Sequence, residues 1–183
     1  LDETIPEKEG KVDRSKLLDF SGRSRKPQMA LAEKYGIASY LQPAGGCLLT
    51  DPGFSARLKE LRDREGLDDV RALHLLKVGR HFRLESGKKI VVGRNEMENA
   101  KIEDLAREGD ALLWPEAVPG PIVIVPGGGE APDIGEAARA CARYSDVREG
   151  DEAAITVSSG GKETTLRVRR PPPAGLRMTP IGI

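Results

Sequence analysis

Apolar residues recur at helical intervals up to about residue 72 and at intervals of two after Val78, so helices are expected first and a sheet after them. Asp13 can cap a short helix over Arg14–Phe20, and a second helix is expected over Pro27–Tyr35, with Gly36 ending it in the left-handed position. After a loop through Pro43-Ala44-Gly45-Gly46, Asp51 caps a third helix that Pro52 opens, with Phe54, Leu58 and Leu61 on one face and Gly66 as its stop. A fourth, Asp69–Leu76, carries Val70, Leu73, His74 and Lys77 at helical spacing. His81–Leu84 and Lys89–Val92 then flank Ser86-Gly87-Lys88 as a tight β-hairpin. Asn95 caps a helix reaching Arg107, with Met97, Ile102 and Leu105 inward. Strands Ala111–Trp114 and Ile122–Val125, a helix over Asp133–Tyr144, and strands Ala153–Ser158 and Thr164–Arg169 complete the pattern, while the proline-rich tail from Pro171 shows little periodicity.

The fold expected is therefore α+β. A short helical segment, residues 1–76, leads into a domain over 77–183, a mostly antiparallel β-β-α-β-β-α-β-β sheet with both helices on one face.

Charge adds one feature to this outline. Lys plus Arg and Asp plus Glu each number 29 in 183 residues, which excludes a chain that coats nucleic acid by overall charge. The charges segregate, however. From His74 to Arg94 six bases stand against Glu85 alone, and from Gly109 to Glu163 ten acids stand against four bases. Arg80, Arg83, Lys88, Lys89 and Arg94 would form a basic ridge on the hairpin, with Asn95 and Asn99 at the start of the next helix, or else a solvated edge that discourages strand pairing. Aromatic residues make up only 4% of the chain, too few for an extended stacking platform; Tyr144 and Trp114 lie near the ridge and read as core.

Two cysteines, Cys47 and Cys141, exclude a disulfide framework. Cys47 follows two glycines and precedes a helix start, where the dipole and free N–H groups favour a thiolate; the alternative is a small residue packed at a turn. Cys141 shares a helix face with Ile134, Ala137 and Ala138 and reads as core. These two cysteines with His74 and His81 have no metal-ligand spacing, so no metal is expected. Gly127-Gly128-Gly129 follows an apolar strand but lacks the Lys-Ser/Thr of a nucleotide loop, and Glu130 would repel a phosphate, so it reads as a flexible connector. No cofactor and no ATP-dependent activity are expected of this chain alone. The acidic start without Met, and the absence of any long apolar run, point to a cytoplasmic piece of a longer protein without a membrane span.

Two strings resemble known families. Val92-Gly93-Arg94-Asn95-Glu96-Met97-Glu98-Asn99, then Asp110-Ala111-Leu112-Leu113-Trp114, Gly120-Pro121-Ile122-Val123-Ile124 and the Ala-rich helix ending Tyr144-Ser145, resemble the NFACT-R domain over roughly residues 75–170. That domain is the RNA-binding module of the ribosome quality-control NFACT proteins. Pro115 and Pro121 stand where that family commonly has histidines.

Gly22-Arg23-Ser24-Arg25-Lys26-Pro27-Gln28, Tyr35-Gly36-Ile37 and Pro43 to Asp51 resemble the end of a PP-loop ATPase region in tRNA-thiolation enzymes related to the 2-thiouridylases and 4-thiouridine synthases. The resemblance implies a sulfur-transfer role, with Cys47 in the place of a persulfide carrier and therefore the expected catalytic residue. The nucleotide loop of that family is not in this chain, so the resemblance puts ATP on an upstream PP-loop domain. Together these imply the RNA-binding, specifically tRNA-binding, C-terminal region of a tRNA-modifying enzyme. The alternatives are a free-standing RNA- or ribosome-associated module and a small sulfur-carrier or redox protein acting through Cys47.

Overall fold

The structure, a computed structural model, describes residues 2–22, 24–37 and 47–182. The chain divides into two compact units, 1–45 and 46–183. The first holds helix α1, Ile5–Lys8, and helix α2, Lys26–Lys34. Thr4 and Glu7 cap α1 reciprocally, and Arg14 pairs with Glu7 at 2.5 Å. The helix expected over Arg14–Phe20 is only a 3-10 turn, Arg14–Lys16, capped by Asp13. Arg23 and the loop Pro43-Ala44-Gly45-Gly46 lie outside the described residues.

The second unit is built on seven strands: β1 Arg80–Leu84, β2 Lys89–Val92, β3 Ala111–Pro115, β4 Val123–Val125, β5 Glu152–Ser159, β6 Lys162–Arg169 and β7 Met178–Ile181. They pair antiparallel throughout in the order β6-β5-β3-β4-β2-β1-β7. Helices α3 Pro52–Arg64, α4 Val70–Leu75, α5 Glu96–Asp104 and α6 Ala131–Arg143 complete it. The α+β class and the β-β-α-β-β-α-β-β order hold. The tail adds a seventh strand, with Met178 opposite Leu84 and Ile181 opposite His81. The expected boundary between 76 and 77 falls inside this unit, because Leu75 of α4 is buried with Val91, Ile102 and Ile124, and Glu60 of α3 pairs with Arg83 of β1.

The helices lie on both faces of the sheet, not on one. Ile90, Val92, Val123 and Val125 pack on α6 through Ala137, Ala138 and Cys141. The alternate residues Val91 and Ile124 pack on the other side against Ile102 of α5 and Leu75 of α4. Burial on both faces explains why β2 and β4 are continuous apolar runs, since neither face meets water. Inward positions also differ from expectation. Met97, expected inward, is exposed, and Leu75 and Leu76 are the buried residues at the end of α4. Among the described residues no helix is long and apolar enough to cross a membrane.

Candidate nucleic-acid interface

The turn from α4 into β1 passes directly against β2. Gly79 adopts φ 73°, and a side chain there would come within 2.7 Å of the Val91 side chain and 2.8 Å of the Val92 carbonyl oxygen. Glu98 fixes the approach from the other side. Its Oε2 accepts the Gly79 N–H at 3.1 Å and the Arg94 N–H at 3.0 Å, and its carboxylate also pairs with the Arg94 guanidinium. That pairing, more than the backbone bonds, holds the Glu98 carboxyl below the usual carboxylate range. Arg80 therefore leaves the turn beside the Gly93–Arg94 bend.

The string Gly93-Arg94-Asn95-x-x-Glu98-Asn99 is a structural clamp. Asn95 caps α5 by accepting the Glu98 N–H at 3.0 Å. Asn99 accepts the Ile122 N–H at 3.0 Å and donates to the Gly120 carbonyl at 3.2 Å. Any side chain on Gly93 would overlap the Asn99 carboxamide oxygen.

The seven residues expected to contact RNA do not form one ridge. Arg83 and Lys89 face each other across the hairpin, on the side covered by α3. Arg83 donates to Glu60 at 2.7 Å and to Glu65 at 2.5 Å, and Lys89 lies 3.8 Å from Glu60. Lys89 is buried, and that burial lowers its pKa even with Glu60 nearby. Lys88 sits at the far end of the hairpin, on a cleft of about 630 Å³ lined also by Glu130 and Asp133. The Gly127 N–H in that cleft is bonded to Asp110 at 2.8 Å, so the glycine turn is tied down; the acids still make it unsuited to phosphate. Arg80, Arg94, Asn95 and Asn99 remain together at the β1 start.

At that end Arg80 lies over the Tyr144 ring, 5.0 Å from its centroid, and Phe82 stacks on the same ring at 6.0 Å. Tyr144 is 37% exposed and Trp114 half-buried, so neither is enclosed in the core. Among the described residues Arg80 and the exposed Lys77 have no carboxylate partner, whereas Arg83, Lys89 and Arg94 all do. Sequence reading missed Asp110. This buried carboxylate pairs with Arg71 and accepts the Arg107 N–H at 2.9 Å as well as that of Gly127, and no local pattern marks it.

Cys47 is exposed and starts a 3-10 turn, Leu48–Thr50, ahead of α3. Cys141 is buried, as expected, and its thiol is pushed up to about 12 by burial. Among the described residues no three His, Cys, Asp or Glu side chains gather as metal ligands.

The family model of NFACT-R_2, described as the NFACT protein RNA binding domain, matches residues 79–175. The chain belongs to this family. The NFACT-R_2 match begins at Gly79 and so takes in the clamp, Arg80 and Tyr144. A similar solved structure is the C-terminal of the fibronectin/fibrinogen-binding protein from Streptococcus suis. It is 16% identical, with a TM-score of 0.48, and the match covers 68% of this chain and 64% of that one. No curated protein sequence matches the chain.

Proposed function

We propose that the NFACT-R_2 domain of this chain binds structured RNA at the end of the sheet where β1 begins, with Arg80 and Lys77 on phosphates. The carrying observation is the difference in partnering. Arg83 and Lys89 are neutralised by α3, while Arg80 is left without an acid among the described residues and next to an exposed ring. Phosphate contacts position RNA without reading its sequence, so binding is weak, salt-sensitive and led by shape. Fluorescence anisotropy of a structured RNA across a salt series tests this. Replacing Arg80 and Lys77 together by Gln lowers affinity and flattens the log K against log salt slope by about one unit for each cation removed from a phosphate. Lys88→Gln leaves both unchanged. A double variant with wild-type affinity and slope overturns the reading.

A finer proposal takes the RNA as tRNA and the chain as the C-terminal region of a cytoplasmic sulfur-transfer enzyme, with ATP on an upstream PP-loop domain and Cys47 as sulfur carrier. Its support is the resemblance around residues 22–51 together with the exposure of Cys47. Extending the reading frame upstream tests it. A frame without a nucleotide loop, or a Cys47→Ser parent with full tRNA thiolation, removes it.

A further inference from the structure

Phe82 and Arg80 leave β1 on the same side, two residues apart, toward α6. Tyr144, the residue that closes α6, meets both of them. Phe82 is buried at 4% exposure, so the ring contact is anchored from within the core, while Tyr144 itself keeps 37% of its surface. The guanidinium above that ring has no carboxylate to draw it away among the described residues. Here the result is a half-exposed guanidinium on an exposed ring, held on a rigid support.

From this geometry we propose that Arg80 and Tyr144 form a stacking step for one unpaired nucleotide, its base against the exposed side of the pair. The proposal rests on the RNA-binding reading and narrows it to RNA with unpaired bases. The physical reason is accessibility. Bases inside an A-form duplex are already stacked on each other, and the major groove is too narrow for side chains to enter. Only a base in a loop, bulge or single strand can leave its neighbours and lie on a tyrosine ring or a guanidinium plane. Clamping by Glu98, which ties Gly79 to Arg94, keeps the start of β1 in place when the nucleotide arrives.

Three variants of the whole chain separate stacking from charge. Tyr144→Leu keeps an apolar contact for Phe82 but removes the plane; Tyr144→Phe keeps the plane; Arg80→Lys keeps the charge but loses the guanidinium plane. Against a hairpin RNA with an unpaired loop, Tyr144→Leu and Arg80→Lys bind roughly tenfold more weakly with an unchanged salt slope, and Tyr144→Phe binds as wild type. Against the same stem closed as a continuous duplex, none of the three differs from wild type. A loop base replaced by 2-aminopurine is quenched on binding wild type, which also serves if Tyr144→Leu does not fold. Tyr144→Leu binding the looped RNA as wild type, or no quenching at any loop position, overturns the stacking step while the Arg80 and Lys77 phosphate reading survives. A wild-type chain that binds neither RNA removes both.

Discussion

Asn99 completes the sheet for Ile122. Its side-chain oxygen accepts the Ile122 N–H at 3.0 Å, while the Ile122 carbonyl accepts the Gly93 N–H at 2.9 Å. The carboxamide thus stands where a strand partner would, extending the β2–β4 pairing past Val92 as the chain bends into α5. Asn99→Ala leaves that N–H without its acceptor and is expected to cost about 1–3 kcal/mol. Amide exchange at Ile122 speeds up in the variant beyond what the global loss accounts for. Unchanged protection there shows that Asn99 does not hold the strand.

Much of this clamp was legible, but its purpose was not. Gly93, Arg94, Asn95 and Asn99 stand out as a string and invite a binding role, yet three of them hold the bend together and Arg94 shares Glu98 with it. The hairpins and the order of elements followed from period and glycine placement. Strand β7 did not, because its pattern is four residues long with a proline in it. The two-sided burial was written in the apolar runs Ile90-Val91-Val92 and Val123-Ile124-Val125, whose lack of alternation signals burial on both faces. The neutralisation of Arg83 and Lys89 had no local sign, since Glu60 comes from a helix more than twenty residues upstream of either.

Glu60 separates two cations that the hairpin register sets opposite each other. Its Oε1 takes Arg83 at 2.7 Å, and Oε2 faces Lys89 at 3.8 Å. Removing the acid leaves Arg83 and a buried Lys89 to repel each other. Glu60→Gln is expected to lose on the order of 3 kcal/mol, read as a lower urea midpoint. Adding Lys89→Met restores part of it, because the uncompensated charge goes. If the second substitution makes matters worse, Lys89 is stabilised by something other than Glu60.

The two cysteines should separate cleanly by reactivity. Cys141 is fully buried under α6, its Sγ 3.6 Å from the Pro121 carbonyl oxygen, and its thiol is pushed up to about 12. Cys47 is exposed. Iodoacetamide on the native chain is expected to label Cys47 alone, and both thiols once the chain is unfolded in guanidinium. Rapid native labelling of Cys141 means that α6 opens on the time scale of the reaction.

His81 makes stability depend on pH in a window where few other groups titrate. Its ring is 1% exposed, Nε2 lies 2.9 Å from the Val78 carbonyl, and Nδ1 has no partner among the described residues. Burial, with the Lys89 cation beside it, lowers its pKa from 6.5 to about 3, so the folded chain keeps the ring neutral with its proton on Nε2. Below pH 6.5 the unfolded chain takes up a proton that the folded chain refuses. The contribution is therefore fully present above pH 6.5 and declines as pH falls toward 3, by up to about 1.4 kcal/mol per pH unit. Carboxylates held low, such as Glu98, begin to matter only below their ordinary 4.5. Urea midpoints measured near pH 7 and near pH 5 should differ by roughly 2 kcal/mol in the wild type. His81→Gln, which keeps a donor for Val78 but cannot titrate, is expected to reduce that difference to a small residue. Equal pH dependence in the wild type and His81→Gln would show that the buried ring is not its source.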